Sequence, residues 1–179
     1  YTTLFRSNAN QAEKEGPAGQ ILDIPISYRC PRTVSSGSAS RLFSQDSSTT
    51  LSLGEASLTV DSGLLERDSI LSISRLEKGQ LPSIPSDLVN VTPGEGGYRF
   101  LPHGIRFRGE AILTMPYDSV LIPNGYEARD IRTYYYDEKR QQWQALPLTC
   151  VNETESYVES RTTHFTDMIN GLLKTPENP

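Results

Sequence analysis

Short segments with alternating apolar and polar positions follow one another from Ser57 onward. The segments 57–60 (SLTV) and 69–76 (SILSISRL) alternate in this way, which is typical of strands with one buried face. Further strand-like segments lie at 97–102, 104–109, 111–118, 131–138, 143–148 and 156–169. No apolar stripe with the helical period extends beyond one or two turns, so we expect at most single helical turns, at 63–68 and 168–174.

Gly and Pro separate most of these segments, which recur about every ten residues. This spacing predicts an all-β fold, an antiparallel β-sandwich. The segment IRTYYYDE (131–138), the turn-forming DEKRQQ and the following WQALPL predict a hairpin in which Trp143 packs against the tyrosines. Residues 81–97 contain three prolines and three glycines and predict a long loop.

The composition divides the chain near residue 56. Residues 33–57 contain nine Ser and three Thr among 25 positions, which predicts a flexible linker or a long loop. Residues 21–28 (ILDIPISY) predict one edge strand, because Pro25 cannot donate to a ladder, and the polar residues 1–20 predict a loose arm. We therefore expect a Ser-rich N-terminal extension over 1–56 and the β-sandwich domain over 57–179.

The composition also narrows the classes of function. The chain has 179 residues, of which 36% are hydrophobic, and its 17 Lys and Arg against 22 Asp and Glu give a net charge of −5. This acidic balance argues against nonspecific nucleic-acid binding, which needs a basic surface. No apolar run approaches the roughly 18 residues of a membrane-spanning helix. Because the chain begins at Tyr1 without a leader, we expect a processed piece or an excised fragment of a longer protein.

The cysteines and histidines that could form a structural zinc site are few and widely separated in the sequence. The chain contains two cysteines, Cys30 and Cys150, and two histidines, His103 and His164, whereas a closed zinc site needs about four converging ligands. We expect no metal and no cofactor. The two cysteines leave two alternatives open, one disulfide in an exported protein or two free buried thiols.

The segment Thr162-Thr163-His164-Phe165-Thr166-Asp167 carries the strongest candidate chemistry. Side chains two positions apart project to the same face of a strand. His164 and Thr166 are therefore expected to flank the Phe165–Thr166 peptide bond from one side, a hydroxyl close to the carbonyl and an imidazole close to the amide nitrogen. His103, between Pro102 and Gly104, is expected in a tight turn with a local hydrogen-bonding role.

Residues 57–166 resemble the ZU family, the β-sandwich domain of ankyrins, netrin receptors and autoprocessing death-domain scaffold proteins. The matching pieces are SLTV (57–60), GLL (63–65), ILSI (70–73), the longer YRFLPHGIRFRGEAILTMPYD (98–118) with its Pro-His-Gly, and the hairpin TYYYDEKRQQWQALP (133–147). His164-Phe165-Thr166 falls where self-cleaving members carry His-Phe-Ser.

The resemblance implies cis-autoproteolysis at Phe165–Thr166. Thr166 would be the nucleophile, Phe165 would supply the attacked carbonyl, and His164 would be the general base and acid of an N-to-O acyl shift followed by ester hydrolysis. No cofactor is implied. The residues after the cut are expected to stay docked, but weakly. Other members of the family do not cleave, so the alternative is a noncatalytic interaction or spacer module.

The C-terminal segment THFTDMINGLLKTPE (163–177) resembles the segment that precedes the β-propeller region in bacterial proteins related to the Tc-toxin B subunit and plasmid-virulence protein B. This second resemblance implies a larger, toxin-like bacterial protein that is secreted or held at the cell surface. The implied partners are neighbouring domains of the same polypeptide and a further protein partner.

Overall fold

The computed structural model describes residues 37–174, which form a β-sandwich of two antiparallel sheets. The predicted all-β sandwich is thereby confirmed. The predicted arm at 1–20, the predicted strand at 21–28 and Cys30 lie outside the described residues. The strands in chain order are β1 (Ser38–Phe43), β2 (Thr49–Leu53), β3 (Ala56–Val60), β4 (Ser69–Leu76), β5 (Leu88–Asn90), β6 (Gly97–Leu101), β7 (Arg106–Pro116), β8 (Arg132–Asp137), β9 (Gln142–Ala145), β10 (Leu148–Asn152), β11 (Tyr157–His164) and β12 (Asp167–Leu173).

The two sheets differ in strand number and strand order. The first sheet has the order β1-β4-β6-β12-β8-β9, and β5 also pairs with β12; the second has the order β10-β11-β7-β3-β2. Along β7, Phe107, Leu113 and Met115 are buried, whereas Arg106 and Arg108 are exposed. This alternation follows from the two-residue period of a strand and places one face of each sheet in the core.

The core between the sheets contains large apolar side chains from both layers. The largest of those that are fully buried include Phe43, Leu58, Ile73, Phe100, Leu113 and Phe165. Burial of each such side chain contributes about 1.5–3 kcal/mol. Because Phe165 belongs to this set, the segment with the candidate chemistry is fixed to the core.

The prediction of a flexible linker over residues 33–57 is wrong where the structure describes them. Residues 38–43 form β1, which pairs with β4, and residues 49–53 form β2, which pairs with β3. In these strands Phe43 and Leu51 are buried, while most of the serines lie on the exposed face. A few buried side chains are sufficient to hold a strand at a sheet edge, so the sandwich includes residues that the composition assigned to the extension.

Other local predictions are also corrected. The predicted loop 81–97 contains β5 and a short 3₁₀ turn at Pro93–Glu95, and the segments 104–109 and 111–118 join in the single strand β7. Neither predicted helical turn forms, since 168–173 belongs to β12 and 63–68 is a turn. At Gly171 a Cβ would lie 2.9 Å from the carbonyl oxygen of Val89, so glycine permits the close approach of β5 to β12.

The predicted hairpin at 131–148 is present as far as Ala145, where β9 ends, whereas Leu148 begins β10 in the other sheet. β8 pairs with β9, and the Asp137 carboxylate accepts the backbone N–H groups of Lys139 and Arg140 in the turn. The rings of Tyr136 and Trp143 lie opposite one another with centroids 5.4 Å apart. The hairpin therefore has the predicted aromatic pair.

Two further findings concern the exposure of Cys150 and the absence, among residues 37–174, of membrane-spanning helices and of metal-ligand clusters. Cys150 is exposed on β10, so the alternative of two buried thiols is wrong for this position. Within residues 37–174 no helix is long and apolar enough to cross a bilayer, and no cluster of three potential metal ligands occurs.

Candidate active site at the Phe165–Thr166 peptide

The Phe165–Thr166 peptide bond lies where the chain passes from one sheet to the other. β11 ends at His164 in the second sheet, and β12 begins at Asp167 in the first. The prediction of one strand over 156–169 is therefore wrong at this point. The expectation that His164 and Thr166 share one face of a strand loses its basis, because the two residues lie on opposite sides of a break in the strand.

The residue before the bond is anchored in the core. The Phe165 side chain is buried and its ring packs between those of Phe100 and Phe107, with centroids 5.6 and 5.0 Å away. Its carbonyl oxygen accepts the backbone N–H of Gly104 at 3.2 Å. Both the ring and the carbonyl group of Phe165 are therefore held in place.

The residue after Thr166 is anchored by an ion pair. The buried carboxylate of Asp167 accepts Nε–H and Nη2–H of Arg99 at 2.7 and 2.8 Å, a bidentate arrangement that fixes both side chains. The hydrogen bond to Asp167 raises the pKa of Arg99. The carbonyl oxygen of Thr166 also accepts the backbone N–H of Phe100 at 3.3 Å. The peptide bond is therefore held from both sides.

The Thr166 hydroxyl group is nearly buried and already has a partner. It donates a hydrogen bond of 2.8 Å to the backbone carbonyl oxygen of Tyr136 in β8. This contact fixes the hydroxyl beside the hairpin formed by β8 and β9. A proton transfer from Thr166 to an imidazole requires this hydrogen bond to open.

The His164 imidazole is half-buried and favours its neutral form. Burial lowers its pKa below the usual 6.5, the positive charge of Arg106 lowers it further, and Asp137 acts in the opposite direction. The His164 ring also packs against the Tyr135 ring in an edge-to-face arrangement, with centroids 4.6 Å apart. A neutral imidazole at neutral pH is the state that accepts a proton.

The backbone of His164 is held by a hydroxyl from its own strand. Thr162 Oγ1 donates to the carbonyl oxygen of His164 at 2.7 Å, and the register between β11 and β7 shifts between these two residues. His164 consequently pairs with Arg106, at the start of β7. This pairing explains why the Arg106 charge acts on the imidazole.

A single open cleft of about 380 Å³ brings the three predicted site residues together. His164, Phe165 and Thr166 line it, and its other walls come from the turn at 103–104, Arg106, Thr163 and the end of the β8–β9 hairpin. The site therefore gathers residues that are up to about sixty positions apart in sequence, as long-range strand pairing does.

The structure adds residues that the sequence reasoning did not assign to the site. These are Gly104, Tyr136 and the pair Arg99 and Asp167. Gly104 and Tyr136 act through backbone groups, so no side-chain type in the sequence marks them as site residues. For Gly104, the Pro-His-Gly segment was the available sequence signal. His103 lies in the predicted turn, and its ring nitrogens lie 3.3 Å from Glu138 and 3.5 Å from Asp167, so its contacts reach beyond the turn.

Comparisons with known proteins add no relative. No protein-family model matches the chain, and no curated protein matches it. The chain is an antiparallel β-sandwich in which the Phe165–Thr166 peptide bond, held by contacts on both sides, connects the two sheets and borders a cleft. The residues that surround the Phe165–Thr166 bond are therefore the basis for the function proposed below.

Proposed function

We propose that this β-sandwich is a cis-autoproteolytic domain that cleaves its own Phe165–Thr166 bond in a single turnover. The observation that carries the proposal is the position of this bond. It crosses between the sheets, it is anchored by Phe165 on one side and Asp167 on the other, and it borders a cleft that also holds the His164 imidazole. This arrangement supports the proposal because it gathers a hydroxyl, a carbonyl group and an imidazole in one cleft, and proximity is one requirement of intramolecular catalysis.

The proposed reaction begins with the Thr166 hydroxyl. Its hydrogen bond to Tyr136 opens, His164 accepts the hydroxyl proton, and Oγ1 bonds to the carbonyl carbon of Phe165. The protonated imidazole then delivers the proton to the amide nitrogen of Thr166. The carbon–nitrogen bond breaks, which leaves an ester between Phe165 and Oγ1 and a free amine on Thr166.

Water completes the proposed cycle. A water molecule attacks the ester carbonyl, with neutral His164 as the base, and the ester bond breaks. The products are a carboxylate on Phe165 and the restored hydroxyl of Thr166, now at a new N-terminus. No cofactor takes part in either step.

The anchors on both sides of the bond supply the proposed driving force. An ester is less stable than an amide, so the acyl shift is favourable only when the fold holds the amide in a distorted geometry. Distortion of a backbone group at a functional site is of the order of 1–3 kcal/mol. Each 1.4 kcal/mol corresponds to about a tenfold change in rate. In the proposed reaction these anchors keep the peptide in that geometry, because the Phe165 ring is packed in the core and the Asp167 carboxylate is paired with Arg99.

A second candidate function is a noncatalytic interaction or spacer module of the same fold. The observation that favours it is the hydrogen bond from Thr166 to Tyr136, which gives the hydroxyl a structural role. In this reading the segment His164-Phe165-Thr166 serves only to connect the sheets. Both candidates fit a domain of a larger protein, secreted or at the cell surface, that acts with neighbouring domains of the same polypeptide and a further protein partner.

Intact-mass measurement of freshly purified protein separates the two candidates. Autoproteolysis predicts fragments that end at Phe165 and begin at Thr166, formed at a rate independent of protein concentration. Hydroxylamine is expected to accelerate the conversion by attacking the ester, and to leave a hydroxamate on Phe165. A chain that stays at full mass with and without hydroxylamine would favour the noncatalytic module.

A further inference from the structure

We propose that the backbone N–H of Gly104 is the oxyanion donor of this site and that His103 is the residue that positions it. This inference rests on the proposed autoproteolysis and names the group that stabilises its transition state. When Oγ1 adds to the carbonyl of Phe165, the carbonyl oxygen becomes negatively charged. A fixed hydrogen-bond donor directed at this oxygen lowers the barrier because the donor strengthens its bond as the charge develops.

The geometry of the carbonyl group carries the inference. Phe165 lies between β11 and β12, outside both strands, and its carbonyl oxygen accepts the N–H of Gly104 at 3.2 Å. An oxyanion donor works at about 2.7–3.1 Å from the charged oxygen. A neutral contact of 3.2 Å is therefore close to the range that it would reach as the oxygen gains charge. The donor keeps its proton throughout, so the proton path between Thr166 and His164 is unchanged.

The conformation of Gly104 shows what its position requires. Its φ angle is +76°, in the region that favours glycine, and the turn is closed by the N–H of Ile105 on the carbonyl oxygen of Pro102. A Cβ at Gly104 would meet nothing within 4 Å. Packing therefore does not demand glycine here, whereas the backbone turn that presents the N–H to Phe165 does.

His103 ties this turn to the two elements beside the bond. Its Nδ1 lies 3.3 Å from the carboxylate of Glu138, the residue after β8, and its Nε2 lies 3.5 Å from the Asp167 carboxylate. Asp167 is itself fixed by Arg99. The imidazole of His103 therefore lies between the two carboxylates, where its N–H can donate to one of them and connect the turn that carries the donor to its neighbours.

The test removes the N–H without adding a side chain. Glycolic acid in place of Gly104, introduced by in vitro translation with a charged suppressor tRNA, replaces the amide by an ester and leaves the chain otherwise unchanged. Glycolic acid in place of Gly63 is the matched control, because Gly63 also has a positive φ, +81°, and donates one backbone N–H, to Gln45 at 2.7 Å. Cleavage at Phe165–Thr166 is followed by intact mass, which distinguishes it from hydrolysis of the introduced ester.

We expect the Gly104 replacement to slow cleavage by about 10²–10³-fold, the usual effect of removing one oxyanion donor, and the Gly63 replacement to leave the rate unchanged. Equal rates for both chains would overturn the inference and leave autoproteolysis standing. Failure of the unaltered chain to cleave would overturn the proposed function, and the role of Gly104 with it. Circular dichroism at the assay temperature confirms that each chain is folded.

The positioning role of His103 has its own readout. His103→Ala is expected to slow cleavage in the unaltered chain but to have no further effect once glycolic acid replaces Gly104, because both changes act on the same donor. Equal effects of His103→Ala in both backgrounds would overturn the positioning role. The pH dependence set by His164 should be the same in the unaltered chain, in His103→Ala, in the Gly104 replacement and in the chain with both changes.

Discussion

The Thr166 hydroxyl donates its hydrogen bond to the carbonyl oxygen of Tyr136, 2.8 Å away, in the strand beside β12. The proposed nucleophile is therefore held by the β8–β9 hairpin before any reaction begins. Because threonine is β-branched, its χ1 angle has few favoured values, and the reacting rotamer must be one of them. This relationship makes the hydroxyl both a structural group and the candidate nucleophile, and substitution separates the two roles.

We expect Thr166→Val to abolish cleavage and Thr166→Ser to retain it. Valine keeps the branched shape and replaces the hydroxyl by a methyl group, so the fold should persist with a loss of about 0.5–1.5 kcal/mol for the hydrogen bond to Tyr136. Intact mass after timed incubation measures cleavage, and thermal unfolding measures stability. The same fragments from Thr166→Val would point to an outside protease.

The pH profile of cleavage is expected to follow the lowered pKa of His164. The neutral imidazole is the base, and burial and Arg106 hold its pKa below 6.5, so the rate should fall on acidification with a midpoint below pH 6.5. His164→Ala should slow cleavage by about 10²–10⁴-fold. A rate that does not change with acidification would remove His164 from the proton transfer.

Two charge substitutions are expected to move this profile in opposite directions. Arg106→Gln removes a cation, so the His164 pKa and the midpoint of the profile should rise. Asp137→Asn removes an anion, so the midpoint should fall, while the new amide oxygen still caps the hairpin turn. Rates measured across a pH series for both variants check the prediction. Shifts of the same sign would indicate an indirect, structural effect.

The same pKa also affects stability. Because the folded state lowers the His164 pKa below its unfolded value near 6.5, protonation favours the unfolded chain. The stability that depends on neutral His164 is therefore fully present above pH 6.5 and is lost as the pH falls through the folded pKa. Urea unfolding of a cleavage-incompetent variant, Thr166→Val, at several pH values measures it. The loss of stability on acidification should be smaller when His164 is also replaced by Ala, and the difference between the two variants is the contribution of His164.

The sequence allowed the strands and the hairpin to be predicted, because strand periodicity and turn residues are local signals. The prediction of a linker was wrong for β1 and β2. Their many Ser and Thr residues are typical of linkers, although the buried Phe43 and Leu51 are enough to anchor these strands. The sequence also could not show that the chain changes sheets after His164. That break depends on which strands pair, and pairing between distant segments leaves little trace in local composition.

Within the site, too, local sequence signals predicted some residues, whereas contacts between distant segments could not be predicted. His164, Phe165 and Thr166 were predicted from one contiguous segment together with a family resemblance. Tyr136 contributes through a backbone carbonyl group, which every residue carries, and the Pro-His-Gly segment does not show that the N–H of Gly104 meets Phe165, so the folded geometry is needed to identify both contacts.

Asn170 is expected to be the polar residue on which the packing of the two sheets most depends. It is fully buried, its amide donates to the carbonyl oxygens of Met115 and Pro116 in β7, and its oxygen accepts the hydroxyl of Thr133 at 2.8 Å. Asn170→Ala leaves three buried partners without this contact, so a loss of about 2–4 kcal/mol is expected. The exposed Asn124→Ala is the control, with an effect within about 0.5 kcal/mol. Chemical unfolding of both variants compares them.

The fragment that begins at Thr166 is expected to stay bound after cleavage, more tightly than the sequence suggested. β12 lies inside the first sheet, paired with β6, β8 and β5, so its ladder hydrogen bonds do not depend on the Phe165–Thr166 bond. Met168, Ile169 and Leu172 are fully buried, and each contributes about 1.5–3 kcal/mol. The two fragments should therefore elute together in size-exclusion chromatography at micromolar concentration and separate only in denaturant that unfolds the sandwich.

A substitution in β12 tests whether burial is the cause of this retention. Ile169→Ala removes a fully buried side chain from the strand, at a cost of about 2–5 kcal/mol, and should release the fragment at lower denaturant. Leu173→Ala is the matched control, because Leu173 lies in the same strand but is largely exposed, and it should leave the release point unchanged. Equal release points for both variants would show that the ladder and the Arg99–Asp167 ion pair hold the fragment. Free elution of the fragment from the cleaved parent protein in buffer alone would show that β12 needs the intact peptide bond to remain in the sheet.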